Sequence, residues 1–134
     1  MPKVMNYQVL NAQGALQRLV GRTDIPSQYF VGLVRFTRKF NDELSVINEA
    51  VNAIIRKYVE EGADSVPVED EHYGDCLAEV NNLRAQESKL NEKPVRLPSI
   101  VINNGIERDL FVLTEEGVLD DILVLEPFIE IIER

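Results

Sequence analysis

The sequence lacks several residue types that small proteins use for cross-links or catalysis. The chain of 134 residues has no tryptophan, one cysteine and one histidine. Because Cys76 has no partner for an internal disulfide, we expect a reducing compartment and a single domain held together by its core. No apolar run reaches the ~18 residues of a membrane span, and the first residues do not resemble a secretion signal. We therefore expect a cytoplasmic protein that does not bind a membrane.

Basic residues are also scarce, since 14 lysines and arginines face 23 acids and leave a net charge of -9. The charge is distributed unevenly. Residues 1–40 hold six bases and one acid, a net charge of +5, whereas residues 41–106 and 107–134 each carry -7. Wrapping along a phosphate backbone needs a cationic surface that releases counterions, so nucleic acid is not an expected partner. The oppositely charged regions either pair within the fold, remain solvated, or bind a partner of opposite charge.

The apolar spacing predicts a mainly α fold, because apolar residues recur every three or four positions through most of the chain. A first helix is predicted over residues 6–20, ending at a glycine. Pro26 begins a second helix over residues 26–61, since its fixed φ suits the first turn. From Leu33 to Tyr58 the apolar positions alternate steps of four and three, which indicates a continuous packing seam.

A third helix is predicted over residues 71–91, after a loop at 62–71 that mixes glycine, proline and acids. We expect it to run antiparallel to the second helix, so that the two form a long hairpin braced by the first helix. Because the third helix is shorter, part of the second stays uncovered. The first helix, the C-terminal region or a second subunit must contact that part.

The helical spacing of apolar residues is lost after Pro94. Residues 1–134 are predicted to form one helical domain, in which 95–134 is a mixed C-terminal extension. A small β-hairpin is expected from strands at 99–102 and 110–113, because the intervening Asn-Gly pair tolerates the positive φ of a tight turn. A short helix over 117–125 and a final apolar turn or strand at 128–132 complete the expected fold.

Few residues combine into a recognisable catalytic or metal-binding motif. His72 and Cys76 lie four apart and could share a zinc ion, but a closed site needs four ligands and the chain has no other histidine or cysteine. Nucleophile elbows and glycine-rich phosphate loops are missing as well. We predict no catalytic residue, no metal and no cofactor.

The strongest enzyme alternative is an all-helical, magnesium-dependent nucleotide pyrophosphohydrolase, which holds its metal with paired carboxylates on helices. Glu60, Glu61 and Asp64 suggest one such cluster, although it falls at a helix end. A later Glu-x-x-Asp pair is expected, but Glu79 is followed by Asn82 at the required spacing. The pattern therefore favours a protein that is not an enzyme.

The order of features resembles a family of small proteins of uncharacterised function encoded by tailed phages and prophages. Three segments in chain order carry the resemblance: Asn11-Ala12-x-x-Ala15-Leu16-x-x-Leu19 with Asp24-Ile25-Pro26, then Ile55-Arg56-Lys57-Tyr58, and finally Leu123-x-Leu125-Glu126-Pro127-Phe128-Ile129. Membership would imply a viral origin and no known catalytic residues. The short linker between the long helices departs from the family's pattern, as does the segment at 101–105.

Together, the charge distribution and the resemblance predict a non-enzymatic phage interaction factor. It would act as a virion assembly factor or as an inhibitor of a host protein. The candidate contact residues are Arg35, Arg38 and Lys39 on a basic surface, or Glu69, Asp70, Glu71, Asp120 and Asp121 on an acidic one. The competing hypothesis is a self-associating structural protein that pairs through the uncovered part of the second helix.

Overall fold

The computed structural model describes residues 4–59, 71–90 and 92–132. Within these ranges it is mostly helical with a small strand component, as the sequence predicts. The helices are α1 (Asn6–Val20), α2 (Ser27–Tyr58), α3 (Tyr73–Arg84) and α4 (Val118–Leu125), and the strands are β1 (Val95–Pro98), β2 (Ile100–Asn103), β3 (Ile106–Asp109) and β4 (Ile129–Ile132). None of the described helices is long and apolar enough to cross a membrane.

Helix α1 is fixed by local signals at both ends and by one apolar face. At its start the Met5 N–H donates to Gln8 Oε1 at 2.8 Å, which satisfies a donor that lies outside the helical bonding pattern. At its end the Gly21 N–H donates to the Gln17 carbonyl at 3.1 Å. The buried apolar residues of this helix follow the helical period: Val9, Ala12, Ala15, Leu16 and Leu19.

The packing seam of α2 is buried along its first two thirds and half-buried beyond. Leu33 and Ile47 mark the limits of the buried part, whereas Ile54 is half-buried. A polar residue, Thr37, interrupts the seam. Its Oγ1 donates to the Leu33 carbonyl at 2.7 Å, so the hydroxyl is satisfied within the helix. The best-packed part of α2 is therefore the stretch from Leu33 to Ile47.

Three phenylalanines join α2 to the C-terminal part of the chain. The ring of Phe128 lies 6.0 Å from that of Phe36 and 5.6 Å from that of Phe40, the latter nearly perpendicular. Such edge-to-face contacts add to the free energy gained from burying the rings. Phe128 directly precedes β4, so this cluster holds β4 and its neighbour β1 against α2.

The strands form two separate pairs among the described residues. Strand β1 pairs with β4 in parallel, from Val95 opposite Ile129 to Pro98 opposite Ile132. Strands β2 and β3 form an antiparallel hairpin. Their turn has φ values of 55° at Asn104 and 77° at Gly105. Two positive φ values in succession suit the tight two-residue hairpin turn predicted for this Asn-Gly pair.

The sequence prediction for the second hairpin strand is wrong in position. The strand is Ile106–Asp109, not residues 110–113. A two-residue turn leaves no spare residue, so the partner strand must begin at Ile106. Leu110 instead lies in the core with 1% exposure, and its N–H donates to the Ser99 carbonyl at 2.8 Å. The apolar run after β3 therefore begins in the core, whereas Leu113 at its other end is 65% exposed.

Helix α3 ends earlier than the predicted limit at residue 91. After Arg84 the chain pairs with the segment before α1, since the Asn6 N–H donates to the Gln86 carbonyl at 2.9 Å and the Ser88 N–H to the Val4 carbonyl at 2.7 Å. These long-range bonds satisfy groups that a continued helix would have paired internally. Leu77, an apolar residue of this helix, is 46% exposed.

Replacing Asn6 should destabilise the junction between α1 and α3. Its side chain is buried, and Nδ2 donates to the Leu83 carbonyl at 2.8 Å. Asn6→Ala should lower the free energy of unfolding by about 1 kcal/mol, because the Leu83 carbonyl loses the hydrogen bond from Nδ2, although it still accepts from the Gln86 N–H. Urea denaturation would measure this. Asn11→Ala, on the exposed face of the same helix, should change it by less than ~0.5 kcal/mol. An equal loss in both variants would contradict this role of Asn6.

Candidate functional site

An ion pair joins the basic N-terminal region to the acidic C-terminal region. Arg18 of α1 contacts Asp121 of α4 through two hydrogen bonds, of 2.9 Å from Nε and 2.5 Å from Nη2. The hydrogen bonding from Arg18 lowers the pKa of Asp121 below its usual value. Asp121, a predicted partner-binding residue, is therefore paired within the fold, and its contact with a partner remains a prediction.

Arg22 connects the turn between α1 and α2 to the segment after β3. Its guanidinium donates to Asp24 at 2.9 and 2.6 Å and to the Leu110 carbonyl. The hydrogen bonds that Arg22 donates to Asp24 lower the pKa of this carboxyl group. A further pair, Arg108 with Glu115 at 3.2 Å, lies nearby.

Arg18, Arg22 and Arg108, with their carboxylate partners, line a cavity of about 330 Å³. Each arginine in this cavity has a carboxylate partner. The charges of the cavity therefore hold α1, α4 and the hairpin together, and this arrangement does not favour a charged ligand.

A second cavity, between α2 and β1, has a different electrostatic character. It has a volume of about 640 Å³ and is here named the basic groove. The residues that line it are Gly32, Arg35, Phe36 and Lys39 of α2, with Glu92, Lys93, Pro94, Val95 and Arg96 of the opposite wall.

Four cations and one carboxylate line the basic groove, although the whole chain carries -9. Glu92 pairs with Lys39 at 3.1 Å, whereas Arg35 is exposed and makes no ion pair with any described residue. Arg96 is also exposed. Positive charge concentrated in a concave surface raises the local concentration of anionic groups. The basic groove is therefore the best candidate for binding an anionic partner.

The helical repeat explains how α2 builds one wall of the basic groove. Arg35 and Lys39 are one turn apart and so project from the same side of the helix. Gly32 precedes them by almost one turn, and apart from its chain neighbours and the helix's own backbone no described atom lies within 4 Å of the place where a Cβ would stand. The wall is thus open at its N-terminal end and cationic at its C-terminal end.

The structure separates the predicted contact residues. Arg35 and Lys39 line the basic groove, while Arg38 is exposed on α2 and is not among the lining residues. Asp120 on α4 and Glu71 before α3 are exposed as well. The remaining two predicted residues, Glu69 and Asp70, lie outside the described ranges.

Sequence analysis missed Lys93 and Arg96 as groove residues. Both belong to the middle region, whose overall charge of -7 conceals a local pair of bases. The sequence feature that could have identified Lys93 and Arg96 is that they lie three residues apart, one on each side of Pro94, in an extended segment. Their approach to α2 depends on long-range pairing of β1.

The carboxylate of Glu79 is occupied by neighbours on α2. Tyr58 donates its hydroxyl to Oε1 at 2.5 Å, and Lys57 donates to Oε2 at 2.7 Å. The hydrogen bond to Glu79 raises the pKa of Tyr58 to about 12. Both oxygens therefore serve the contact between α2 and α3, which speaks against the metal-binding role that the pyrophosphohydrolase hypothesis gives this residue.

The other two candidate residues for metal binding, His72 and Cys76, differ in their exposure to solvent. Cys76 is buried, while His72 is exposed and its Nε2 lies 3.3 Å from Glu71 Oε1. Within the described ranges, no three histidine, cysteine, aspartate or glutamate residues are grouped to hold a metal ion. The remaining carboxylates of the magnesium hypothesis lie outside those ranges: Glu60, Glu61 and Asp64.

Comparison with known proteins gives no relative for this chain: no family model matches, and neither a curated protein nor a solved structure shows significant similarity. The chemistry of the basic groove therefore rests on its own residues.

The pairing of Asp24 with Arg22 should make stability depend on pH. Asp24→Asn should lower the free energy of unfolding near pH 7 by about 1 kcal/mol, because it weakens a charge-assisted hydrogen bond. The pKa of Asp24 is lowered from 3.8 in the folded protein, so this stabilisation is complete above that value and is lost as the pH falls through the folded-state pKa.

Urea denaturation from neutral to strongly acidic pH should therefore show the two proteins converging in stability. Asp42→Asn, an exposed substitution on α2, serves as the control and should leave stability within ~0.5 kcal/mol of the parent. A difference between Asp24→Asn and the parent that stays constant with pH would contradict the assignment.

Proposed function

We propose that this chain is a non-enzymatic interaction factor that binds an acidic segment of a partner protein in the basic groove. The observation that carries the proposal is the grouping of four cations in one cavity of a chain with a net charge of -9. In keeping with the resemblance to phage-encoded proteins, the proposed partner is a host or phage protein in the host cytoplasm. The proposed outcome is inhibition of a host machine or assistance in virion assembly.

The composition of the basic groove favours a protein segment over a small anion. Phe36, Pro94 and Val95 provide apolar surface beside the cationic side chains. A segment that places carboxylates near Arg35 and Arg96 and an apolar side chain between them would satisfy both parts of the groove. The volume of about 640 Å³ accommodates a few side chains of such a segment.

The framework behind the basic groove supports a preformed site. Phe36 is 6% exposed and packs on Phe40, so the backbone beneath Arg35 is anchored in the core. The proposed antiparallel hairpin of helices gives further support. Lys57 pairs with Glu79, whereas Lys39, earlier in α2, pairs with Glu92, later in the chain. This reversed order of contacts is expected when the two segments run in opposite directions.

Reversing the charge of Arg35 should weaken binding of an acidic peptide. The probe is a fluorescein-labelled peptide of alternating aspartate, glutamate and leucine, and fluorescence anisotropy measures its Kd. Arg35→Glu should raise Kd by about tenfold or more, because a like charge replaces an attractive one in the groove. Arg38→Glu makes the same change on the same helix outside the groove and should raise Kd by less than about threefold.

Two further comparisons make the proposal falsifiable. Far-UV circular dichroism should show that both variants fold, because both side chains are exposed. Binding should weaken as salt rises, since screening reduces attraction between solvent-exposed charges. Equal effects of the two substitutions, or no binding of the acidic peptide by the parent chain at low salt, would contradict binding at the basic groove.

A further inference from the structure

The outer side of α4 combines exposed leucines with carboxylates. Leu119 and Leu123 are 58% and 59% exposed and lie one helical turn apart. Asp120 is exposed on the same helix, and exposed Glu116 and Glu126 flank its two ends. At 100° per residue, Leu119, Asp120, Leu123 and Glu126 fall within about one third of the helix circumference, and Glu116 lies just before the helix. We name these five residues the leucine–acid face.

The inner side of α4 is held firmly, so the leucine–acid face can be presented as a fixed surface. Leu125 is 1% exposed in the core, and Asp121 pairs with Arg18 of α1. No α4 residue is among those that line the basic groove of the same chain. The two surfaces therefore do not occupy each other within one described chain.

We infer that the leucine–acid face of one copy docks in the basic groove of a second copy of this chain. The face offers carboxylates around two leucines, and the groove offers cations around Phe36, Pro94 and Val95. Helix α4 has eight residues and is about 12 Å long, so a single groove can receive much of it. This inference rests on the proposed preference of the basic groove for an acidic, apolar segment.

The contact joins two different surfaces, because the basic groove and the leucine–acid face lie on different elements. Such a contact either closes reciprocally in a two-fold pair, or is heterologous and closes in a ring or continues into chains. In each case a surface damaged on one copy can be compensated by an intact surface on another. This compensation distinguishes the proposed contact from pairing along the exposed part of α2, in which the same surface of each copy would be in contact.

Sedimentation velocity of the full chain at low salt tests the inference. The average mass should rise with concentration between about 1 and 300 μM and should fall again at high salt, as screening predicts. Arg35→Glu damages only the basic groove, and Asp120→Lys damages only the leucine–acid face. Each variant alone should self-associate at least about tenfold more weakly than the parent.

A mixture of the two variants provides the decisive measurement. The intact face of Arg35→Glu and the intact groove of Asp120→Lys can still meet, so the mixture should form a one-to-one pair. Arg38→Glu and Glu49→Lys, both exposed positions outside the two surfaces, serve as matched controls and should associate like the parent. Leu123→Ser tests the apolar part and should also weaken association.

A parent chain that stays monomeric throughout would overturn the inference, as would self-association that Arg35→Glu and Asp120→Lys leave unchanged. A variant mixture that forms no one-to-one pair would overturn it too. The acidic-peptide assay keeps the two proposals apart. If the peptide binds the basic groove while the parent stays monomeric, only self-docking fails, whereas absence of both kinds of binding removes both proposals.

Discussion

The contact of Phe128 with Phe36 and Phe40 is the constraint on which the arrangement of this chain depends. Phe128 is separated from its two partners by most of the sequence, yet all three rings lie in one buried cluster. Strand β4 begins at the next residue and pairs with β1, so the same cluster sets where β1 lies against α2. The basic groove exists because that placement brings Lys93 and Arg96 opposite Arg35.

Local sequence signals predict the parts of the fold that are decided locally. The bounds of α1 agree with the predicted range, and α2 begins at Ser27, directly after the proline that predicts its start, because helical periodicity and end signals act within a few residues. The parallel pairing of β1 and β4 could not be predicted, since partners such as Leu97 and Ile131 are distant in sequence. For the same reason, sequence analysis identified Arg35 and missed Arg96 across the groove.

Only some of the charged residues in the basic N-terminal region are paired with carboxylates in the structure. Arg18 and Lys39 of the basic region pair with Asp121 and Glu92, so part of the charge contrast stabilises contacts between distant segments. Arg35, in contrast, faces a groove that lacks enough carboxylates to neutralise it. A chain with a negative net charge can thus carry a positively charged surface, because ion pairs within the fold neutralise some basic residues and leave others unpaired.

Pro98 of β1 limits the kind of contact that the edge of the strand beside the groove can make. The N–H groups of Val95 and Ser99 donate toward β4, so alternation along the strand directs the backbone of Arg96 and Pro98 to the opposite edge. Proline has no N–H, and a charged side chain also discourages strand addition. The open edge of β1 is therefore protected against templated sheet growth and aggregation, and a ligand beside it must be recognised through side chains rather than a backbone ladder.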